Sequence, residues 1–263
     1  MSTPTLVNYT AAEGVAVLEL CNAPANAYSY EMFQQLDEAI LRARMDDAVH
    51  VLVLRGAGEK FFCAGADIAM LAEATPEFKY YFCLHANETL LRLEHTPKLV
   101  IAAINGHCVG GGLEVAMAAD LRVARAGAGK VGLPEVALGV LPGTGGTQRL
   151  SRLLGKAKAL ELMVSGDTMT VERAHELGLI NKILPAEAFW DDVMVLARSY
   201  TPPHRASRAV GSIKRAVHTG SDLSLEAGLA LERELQQRLF SSEDAREGIS
   251  AYVAKRKPAF KGR

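Results

Sequence analysis

The chain has 263 residues, of which 49% are hydrophobic and 22% charged, and its formal net charge is −1. This composition is typical of a globular protein with a sizeable core. The near-zero charge argues against a general role on nucleic acid or a membrane surface, because both need a basic field. The start "MSTPTLVNYT" lacks the features of a signal or transit peptide, and no apolar run is long enough to span a membrane. We therefore expect a cytoplasmic protein.

Strands and helices alternate in the pattern of the first 185 residues. Short apolar runs rich in β-branched residues predict strands at 15–20, 50–56, 99–106 and 121–126. Apolar residues at helical spacing in "YEMFQQLDEAILRAR" predict a helix between the first two strands. This alternation indicates an α/β layer arrangement.

From about residue 186 the strand pattern stops and four amphipathic helices are predicted. We expect an α/β core over residues 1–195 and a helical region over residues 196–263. For the last helix we expect a capping start, with Ser241 as N-cap and Asp244 three residues later. The apolar faces of these helices require burial, either on their own core or against another subunit.

The stretch "CVGGGLEVAMAAD" (108–120) places three glycines where a strand leads into a helix, with Glu114 in the first turn. Glycine leaves the backbone accessible, and the first N–H groups of a helix lack partners and carry partial positive charge. The Lys and Ser/Thr of a P-loop are missing, and Glu114 would repel a phosphate. A carbonyl oxygen that becomes negative during a reaction fits better, as in an oxyanion hole. A tight packing turn is the alternative.

A second stretch, "KFFCAGADIAML" (60–71), repeats this arrangement. A predicted strand ends in small residues, so the Ala66 N–H is a candidate second donor, and Asp67 begins a helix-like segment. No GxSxG motif accompanies it, and His107, which precedes Cys108, is interpreted as a structural neighbour of the glycines rather than as a catalyst. Acyl chemistry without a covalent nucleophile indicates stabilisation of a thioester enolate.

Glu135 is the second candidate acid, in "VGLPEVALGVLPGTGGTQRL" (131–150). Pro134 before it removes a backbone donor and favours a stiff, non-helical segment. Among apolar neighbours Glu135 is either a surface acid or a desolvated acid with a raised pKa. Two carboxyls in one pocket can divide base and acid work, although the spacing of Glu114 and Glu135 does not show that they meet.

The four cysteines of the chain are widely spaced and lie in apolar contexts. We expect reduced core residues rather than a disulfide framework. They lack CxxC spacing, so no metal site is expected.

Five segments taken together resemble the crotonase (enoyl-CoA hydratase/isomerase) superfamily. They are "FCAGADI", "AAINGHCVGGGLEVAMAADLRVA", "GLPEVALGVLPGTGGTQRL", "ALELMVSGDTMTVERAHELGLINKI" and "EGISAYVAKRKPAF", and with "NAPANAYS" they span nearly the whole chain. The resemblance implies a ClpP-like spiral of repeated ββα units and a C-terminal helical trimerisation region. It also implies a homo-oligomer, either a trimer or a dimer of trimers.

The resemblance implies a true enoyl-CoA hydratase, which adds water reversibly across the 2,3-double bond of a 2-enoyl-CoA thioester. Ala66 and Gly111 resemble the two N–H donors to the thioester oxygen. Glu114 resembles the base that activates water, and Glu135 the acid that protonates C2. Coenzyme A belongs to the substrate, so no separate cofactor is expected.

Further residues resemble the contacts of the family with coenzyme A. These are Asn26, Ala27, Ala64, Ala66, Asp67, Ile68, Ala69, Gly111, Tyr252 and Lys255. Tyr252 and Lys255 resemble positions on the last helix that cover the coenzyme A of a neighbouring subunit, although Lys255 also fits a solvated helix end.

The chain departs from the family pattern in three segments. The first loop, "NAPANAYS", is shorter than usual and lacks the Lys that often precedes the Asn-Ala pair in the family and contacts a phosphate of coenzyme A. It places Tyr28 and Tyr30 where aliphatic residues are common, either as pocket wall or as core. The segment 121–131 is one residue longer than in typical hydratases.

Two other functions remain possible from the sequence. One is a Δ3,Δ2-enoyl-CoA isomerase or another enolate-forming acyl-CoA enzyme. The other is a non-enzymatic module that binds coenzyme A or RNA, which the charge disfavours. The acyl chain is not determined, since Met70, Leu71 and residues of the helix 77–93 (Tyr81, Phe82, Leu84) fit either a pocket wall or the core. Fatty-acid β-oxidation, fermentation and aromatic degradation all use this chemistry.

Overall fold

The computed structural model describes residues 4–263, which form two sheets and a set of surrounding helices. The strands are β1 (Val7–Ala12), β2 (Val15–Leu20), β3 (Val51–Gly56), β4 (Phe61–Cys63), β5 (Leu99–Ile104), β6 (His107–Val109), β7 (Leu121–Arg125), β8 (Lys130–Gly132), β9 (Met169–Thr170) and β10 (Lys182–Leu184). The helices are α1 (Tyr30–Met45), α2 (Ile68–Glu73), α3 (Pro76–Glu94), α4 (Gly111–Met117), α5 (Gly146–Leu154), α6 (Lys156–Ser165), α7 (Val171–Glu176), α8 (Phe189–Ser199), α9 (Ser207–Gly220), α10 (Leu225–Phe240) and α11 (Glu243–Val253), with a 3-10 helix at Glu135–Leu138.

The larger sheet has the order β1-β2-β3-β5-β7-β10, and all its pairs except β1–β2 are parallel. Its central strands are buried on both faces, which explains their nearly continuous apolar sequences. On one face α1 contributes Met32, Phe33 and Ile40 to the main core, and on the other α8 packs through Val193 and Ala197. The four strands and the helix predicted up to residue 126 are confirmed.

The chain advances as a spiral of ββα units. The pairs β3–β4, β5–β6 and β7–β8 each place their first strand in the larger sheet and their second in the smaller one, of order β4-β6-β8-β9. Each unit therefore adds one neighbouring strand to both sheets before its helix. This is the predicted crotonase fold. It also sets side by side the segments that follow β4, β6 and β8.

Two local expectations are wrong. The N-cap of α11 is Ser242, not Ser241, because the Ser242 hydroxyl accepts from the Ala245 N–H at 3.0 Å. Asp244 does not close a capping box, since its carboxylate accepts from the backbone N–H groups of Lys261 and Gly262 near the chain end.

The segment after Pro134 is not the expected non-helical one. Glu135 begins the 3-10 helix Glu135–Leu138, and Pro134 is its N-cap. Proline is compatible with this position because the first residues of a helix donate no intrahelical hydrogen bond.

The first of the last four helices, α8, contains the predicted boundary between residues 195 and 196. Because α8 packs along its length on the larger sheet, it lies with the core, and the division itself stays a prediction. The later helices leave large apolar side chains exposed, among them Ile213, Val217 and Phe240. Within residues 4–263, no helix combines the length and apolar character needed to cross a bilayer.

Candidate active site

A cavity of ≈ 530 Å³ lies where the segments after β4, β6 and β8 meet α2 and α3. Its lining includes Ala66 and Gly111, the two predicted donors, and Glu114 and Glu135, the two predicted acids. Residues from three separate segments of the sequence thus face one space. The condition that the sequence alone did not establish, that the two carboxyls meet, is fulfilled by the fold.

The two donor turns touch one another. Gly65 has φ +92° and Gly110 φ +56°, conformations that side chains disfavour. A Cβ at Gly65 would lie only 3.0 Å from the Gly111 nitrogen, so the turns after β4 and β6 are in direct contact. Across residues 4–263, neither the Ala66 N–H nor the Gly111 N–H donates to a protein acceptor. Both amides therefore belong to residues that line one cavity and have no hydrogen-bond acceptor within the described chain.

Glu114 is anchored in the first turn of α4 and is 1% exposed. Its Oε1 accepts from the backbone N–H groups of Thr144 at 2.8 Å and Gly146 at 2.6 Å, around the start of α5. Burial raises the pKa of Glu114, while these two amides act in the opposite direction. The amides fix the carboxyl in place and favour its ionised form against the effect of burial.

Glu135 has a different environment. A Cβ at Gly110 would lie 3.1 Å from its Oε1, so the carboxyl rests against the donor turn after β6. Its Oε2 is buried and has no hydrogen-bond partner in the described chain. Burial, joined by the charge of Glu114, raises the pKa of Glu135 to about 7, although its own amide and Lys79 lower it. The sequence left open whether Glu135 is a surface acid or a desolvated acid. The structure shows a desolvated acid.

Tyr28 lines the cavity and belongs to the core as well. Its hydroxyl lies 3.2 Å from Thr144 Oγ1, and its ring packs edge-on against Phe33. A Cβ at Gly111 would overlap this hydroxyl, so the donor turn requires glycine at that position. Tyr30 instead packs against the Phe82 and His85 rings.

Some of the predicted coenzyme A contacts on the turn after β4 line the cavity, and others do not. Ala64, Ala66 and Ile68 line the cavity, as does Gly111. Asp67 does not line it, because its carboxylate caps α2 by accepting from the Ala69 N–H at 2.8 Å and the Met70 N–H at 3.2 Å. Ala69 lies exposed beside the cavity. Contact of these residues with coenzyme A stays a prediction.

The Asn26 side chain has a structural role in the first loop. Asn26 is 3% exposed, and its Nδ2 donates to the carbonyls of Ala57 and Phe61. The Ala27 carbonyl accepts from Asn22 Nδ2. The Asn26 side chain is thus engaged within the protein, and contact of Asn26 or Ala27 with coenzyme A stays a prediction.

The predicted residues at the chain end are not part of the cavity lining formed by their own chain. Tyr252 is 87% exposed near the end of α11. Lys255 is not on the helix, since it lies two residues beyond the end of α11 with φ +53°. Neither lines the cavity. Their contact with a neighbouring subunit stays a prediction.

Among Met70, Leu71 and the three candidates on α3 for the acyl pocket, Leu71 alone lines the cavity, which Tyr28 of the first loop lines as well. Phe82 is buried core, whereas Tyr81 and Leu84 are exposed. Met70 packs beside the core.

Sequence reasoning missed three residues of the cavity's polar framework. Thr144 and Gly146 lie in "LPGTGGTQRL", where glycines before a helix signal available amides, so this pair could have been found. Lys79 also lines the cavity, and only the tertiary structure reveals it.

This fold and this site define the enoyl-CoA hydratase/isomerase class. The family model described as "Enoyl-CoA hydratase/isomerase" matches residues 10–263, and the chain belongs to this family, within the crotonase superfamily. A crystal structure of an enoyl-CoA hydratase from Geobacillus kaustophilus HTA426 has a TM-score of 0.96 at 42% identity and covers 100% of this chain and 98% of its own.

Two curated relatives cover nearly all of the chain. A short-chain-enoyl-CoA hydratase from Clostridium acetobutylicum is 36% identical over 95% of this chain and 96% of its own length. A 2,3-dehydroadipyl-CoA hydratase from Escherichia coli is 37% identical over 92% of this chain and 93% of its own.

Proposed function

We propose that the protein is an enoyl-CoA hydratase that adds water reversibly across the 2,3-double bond of a 2-enoyl-CoA. The observation that supports this most is the meeting of two unengaged backbone amides and two carboxyl groups in one cavity. Amides alone would serve any enolate-forming reaction. Two acids with different environments provide for both a base and a proton donor, which hydration requires.

In the proposed reaction the thioester oxygen accepts from the N–H groups of Ala66 and Gly111. As water adds at C3, an electron pair moves through the former double bond onto this oxygen. The two donors are fixed beforehand and gain strength as the charge develops, each contributing about 2.7–4 kcal/mol to transition-state stabilisation.

The two carboxyls divide the proton transfers. Glu114, held by two backbone N–H groups, takes a proton from the attacking water as the O–C3 bond forms. Glu135, whose pKa is about 7, is protonated in a large fraction of the molecules at neutral pH, and this protonated form gives its proton to C2 of the enolate. Proton exchange with solvent then restores both groups, so one water is consumed for each hydroxyacyl product.

The test uses crotonyl-CoA, whose conjugated thioester absorbance is lost on hydration. Glu114→Gln and Glu135→Gln should each lower kcat by about 10²–10⁴-fold, the usual contribution of a positioned acid or base. Glu187→Gln, at an exposed site between β10 and α8, is the matched control and should keep wild-type activity. Wild-type rates in both site variants would refute the assignment.

The same protein should be given a 3-enoyl-CoA to test the isomerase alternative. A hydratase forms 3-hydroxyacyl-CoA from the 2-enoyl thioester and leaves the 3-enoyl thioester largely unchanged. Rapid conversion of the 3-enoyl to the 2-enoyl thioester, without hydration, would favour the isomerase.

A further inference from the structure

Lys79 is the one cationic side chain lining the cavity within residues 4–263. It lies in the first two turns of α3 and is half-buried. The preceding segment lines the cavity mainly through the apolar residues Leu71, Ala74 and Pro76, with Thr75 between the last two. An ammonium group at the edge of such a surface must be matched by water or by an anion.

The position of the ammonium is restricted by the core. Lys79 Nζ lies 5.4 Å from the centroid of the Phe82 ring, and that ring is buried among other aromatic side chains. No carboxylate of the described chain lies within 4.0 Å of this ammonium. The charge is close enough to Glu114 and Glu135 to lower the pKa of both, so it acts toward the cavity.

We propose that Lys79 binds a carboxylate at the far end of the acyl chain. The preferred substrate is then a 2-enoyl-CoA whose acyl group ends in a carboxylate in place of a methyl group. This inference rests on the proposed function. The methylenes of the acyl chain would then lie against Leu71, Ala74 and Pro76, and the terminal carboxylate would contact the ammonium group.

Electrostatics favour this assignment over an uncharged acyl end. An alkyl terminus would strip water from the ammonium without replacing it, whereas a carboxylate would form a charged hydrogen bond. A second anion in a cavity that already holds Glu114 and Glu135 would be repelled unless a cation faced it.

The experiment compares two 2-enoyl-CoA substrates of equal chain length, one ending in methyl and one in carboxylate. The ratio of their kcat/KM values isolates the chain end, because any effect of Lys79 on the glutamates or on coenzyme A influences both substrates alike. The wild-type protein should prefer the carboxylate. Lys79→Met should lower this ratio by about 10- to 100-fold, toward the lower end of the loss expected for a buried charge pair because Lys79 is only half-buried.

Three further variants complete the series. Lys79→Arg should retain most of the preference and Lys79→Glu should reverse it. Lys156→Met, an exposed lysine at the start of α6, is the matched control and should leave the ratio unchanged. An equal loss for both substrates in Lys79→Met would overturn the proposal and assign Lys79 to coenzyme A or to the glutamates.

A binding measurement separates this inference from the proposed function. Saturated acyl-CoA analogues with the same two chain ends cannot be hydrated, so calorimetry reports recognition without turnover. Lys79→Met should weaken binding of the carboxylate analogue alone. Selective binding without hydration of either substrate would support the role of Lys79 and refute the hydratase. Equal affinities of the wild-type protein for both analogues would overturn the inference.

Discussion

Glu135 connects the chemistry of single residues with the stability of the fold. One of its carboxyl oxygens is buried without a hydrogen-bond partner, and the pKa is about 7 against an ordinary value of 4.5. Between these values the unfolded chain releases this proton while the folded chain keeps it. The contribution to stability is therefore complete below pH 4.5 and is lost as the pH rises through about 7.

We expect Glu135→Gln to raise Tm relative to the wild-type protein above pH 7, because the amide does not ionise. Below pH 4.5 the difference should shrink, since the carboxyl is then neutral in both states. A gain on the order of 2–4 °C corresponds to about 1 kcal/mol in a domain of this size. Thermal unfolding across this pH range is the measurement. In the exposed control, Glu187→Gln, the shift should not follow this pH dependence, and a pH-independent gain in Glu135→Gln would contradict the explanation.

The residues of the site differ in how well the sequence predicts them. Glycine runs at strand–helix junctions identify Gly111 as accessible backbone, because few other roles require several adjacent glycines. The partners of Glu114 are about thirty residues away, and only the fold establishes that contact. For Asn26 the residue type does not distinguish between two roles, because an asparagine suits a ligand contact as well as the internal hydrogen bonds that Asn26 makes.

At the scale of elements, α9 is attached to the core by a buried ionic cluster. Lys214 Nζ lies 2.9 Å from Asp120 Oδ2 and donates to the Lys98 carbonyl at 3.1 Å. The same Asp120 carboxylate accepts from the Val100 N–H and contacts His218 Nε2 at 2.9 Å. The cluster joins α9 to the turn before β7 and to the start of β5, and so it holds α9 against the larger sheet.

Lys214→Met should destabilise the protein by about 3–5 kcal/mol, because it leaves the buried Asp120 carboxylate without its cation. Denaturant unfolding gives this value directly. The matched control is Arg215→Met, one residue further on the exposed side of α9, for which we expect little change.

Adding Asp120→Asn to Lys214→Met should recover part of the stability, since the uncompensated charge is then absent. An equal loss in the Lys214 and Arg215 variants would show that the cluster does not anchor the helix.

Elements were easier to predict than their ends. The strand and helix patterns up to residue 126 follow from side-chain burial, which repeats along each element. Ends depend on single hydrogen bonds, and for this reason Ser242 rather than Ser241 caps α11. The start of the 3-10 helix at Glu135–Leu138 was hard to predict for a similar reason. Proline is as compatible with a helix start as with an extended segment.

At the scale of the whole molecule, the spiral brings consecutive units together, and residues from three of them form one cavity. Local periodicity contains no information about this stacking. The resemblance of five motifs in order supplied it, because each motif corresponds to a segment with a fixed place in the spiral.

The last three helices leave an apolar surface that the single chain does not cover. Ile213 and Val217 on α9, Phe240 on α10 and Val253 on α11 are between 62% and 76% exposed. These residues lie on helices of which α10 packs against both α9 and α11, and large exposed apolar side chains mark contact surfaces in proteins. We predict that this surface joins copies of the chain into a trimer or a dimer of trimers.

Sedimentation analysis should therefore find a trimer or a hexamer in the wild-type protein. Phe240→Asp combined with Val253→Asp should shift the protein toward smaller species, because burying an unpaired carboxylate opposes association. Met45→Asp, which changes an 81% exposed side chain at the end of α1, is the matched control and should leave the assembly unchanged.

If Tyr252 and Lys255 cover the coenzyme A of a neighbour, dissociation should also raise KM for acyl-CoA, and Lys255→Met should raise KM without changing the mass of the assembly. A wild-type monomer would contradict the assembly, and an unchanged KM after dissociation would contradict the shared coenzyme A contact.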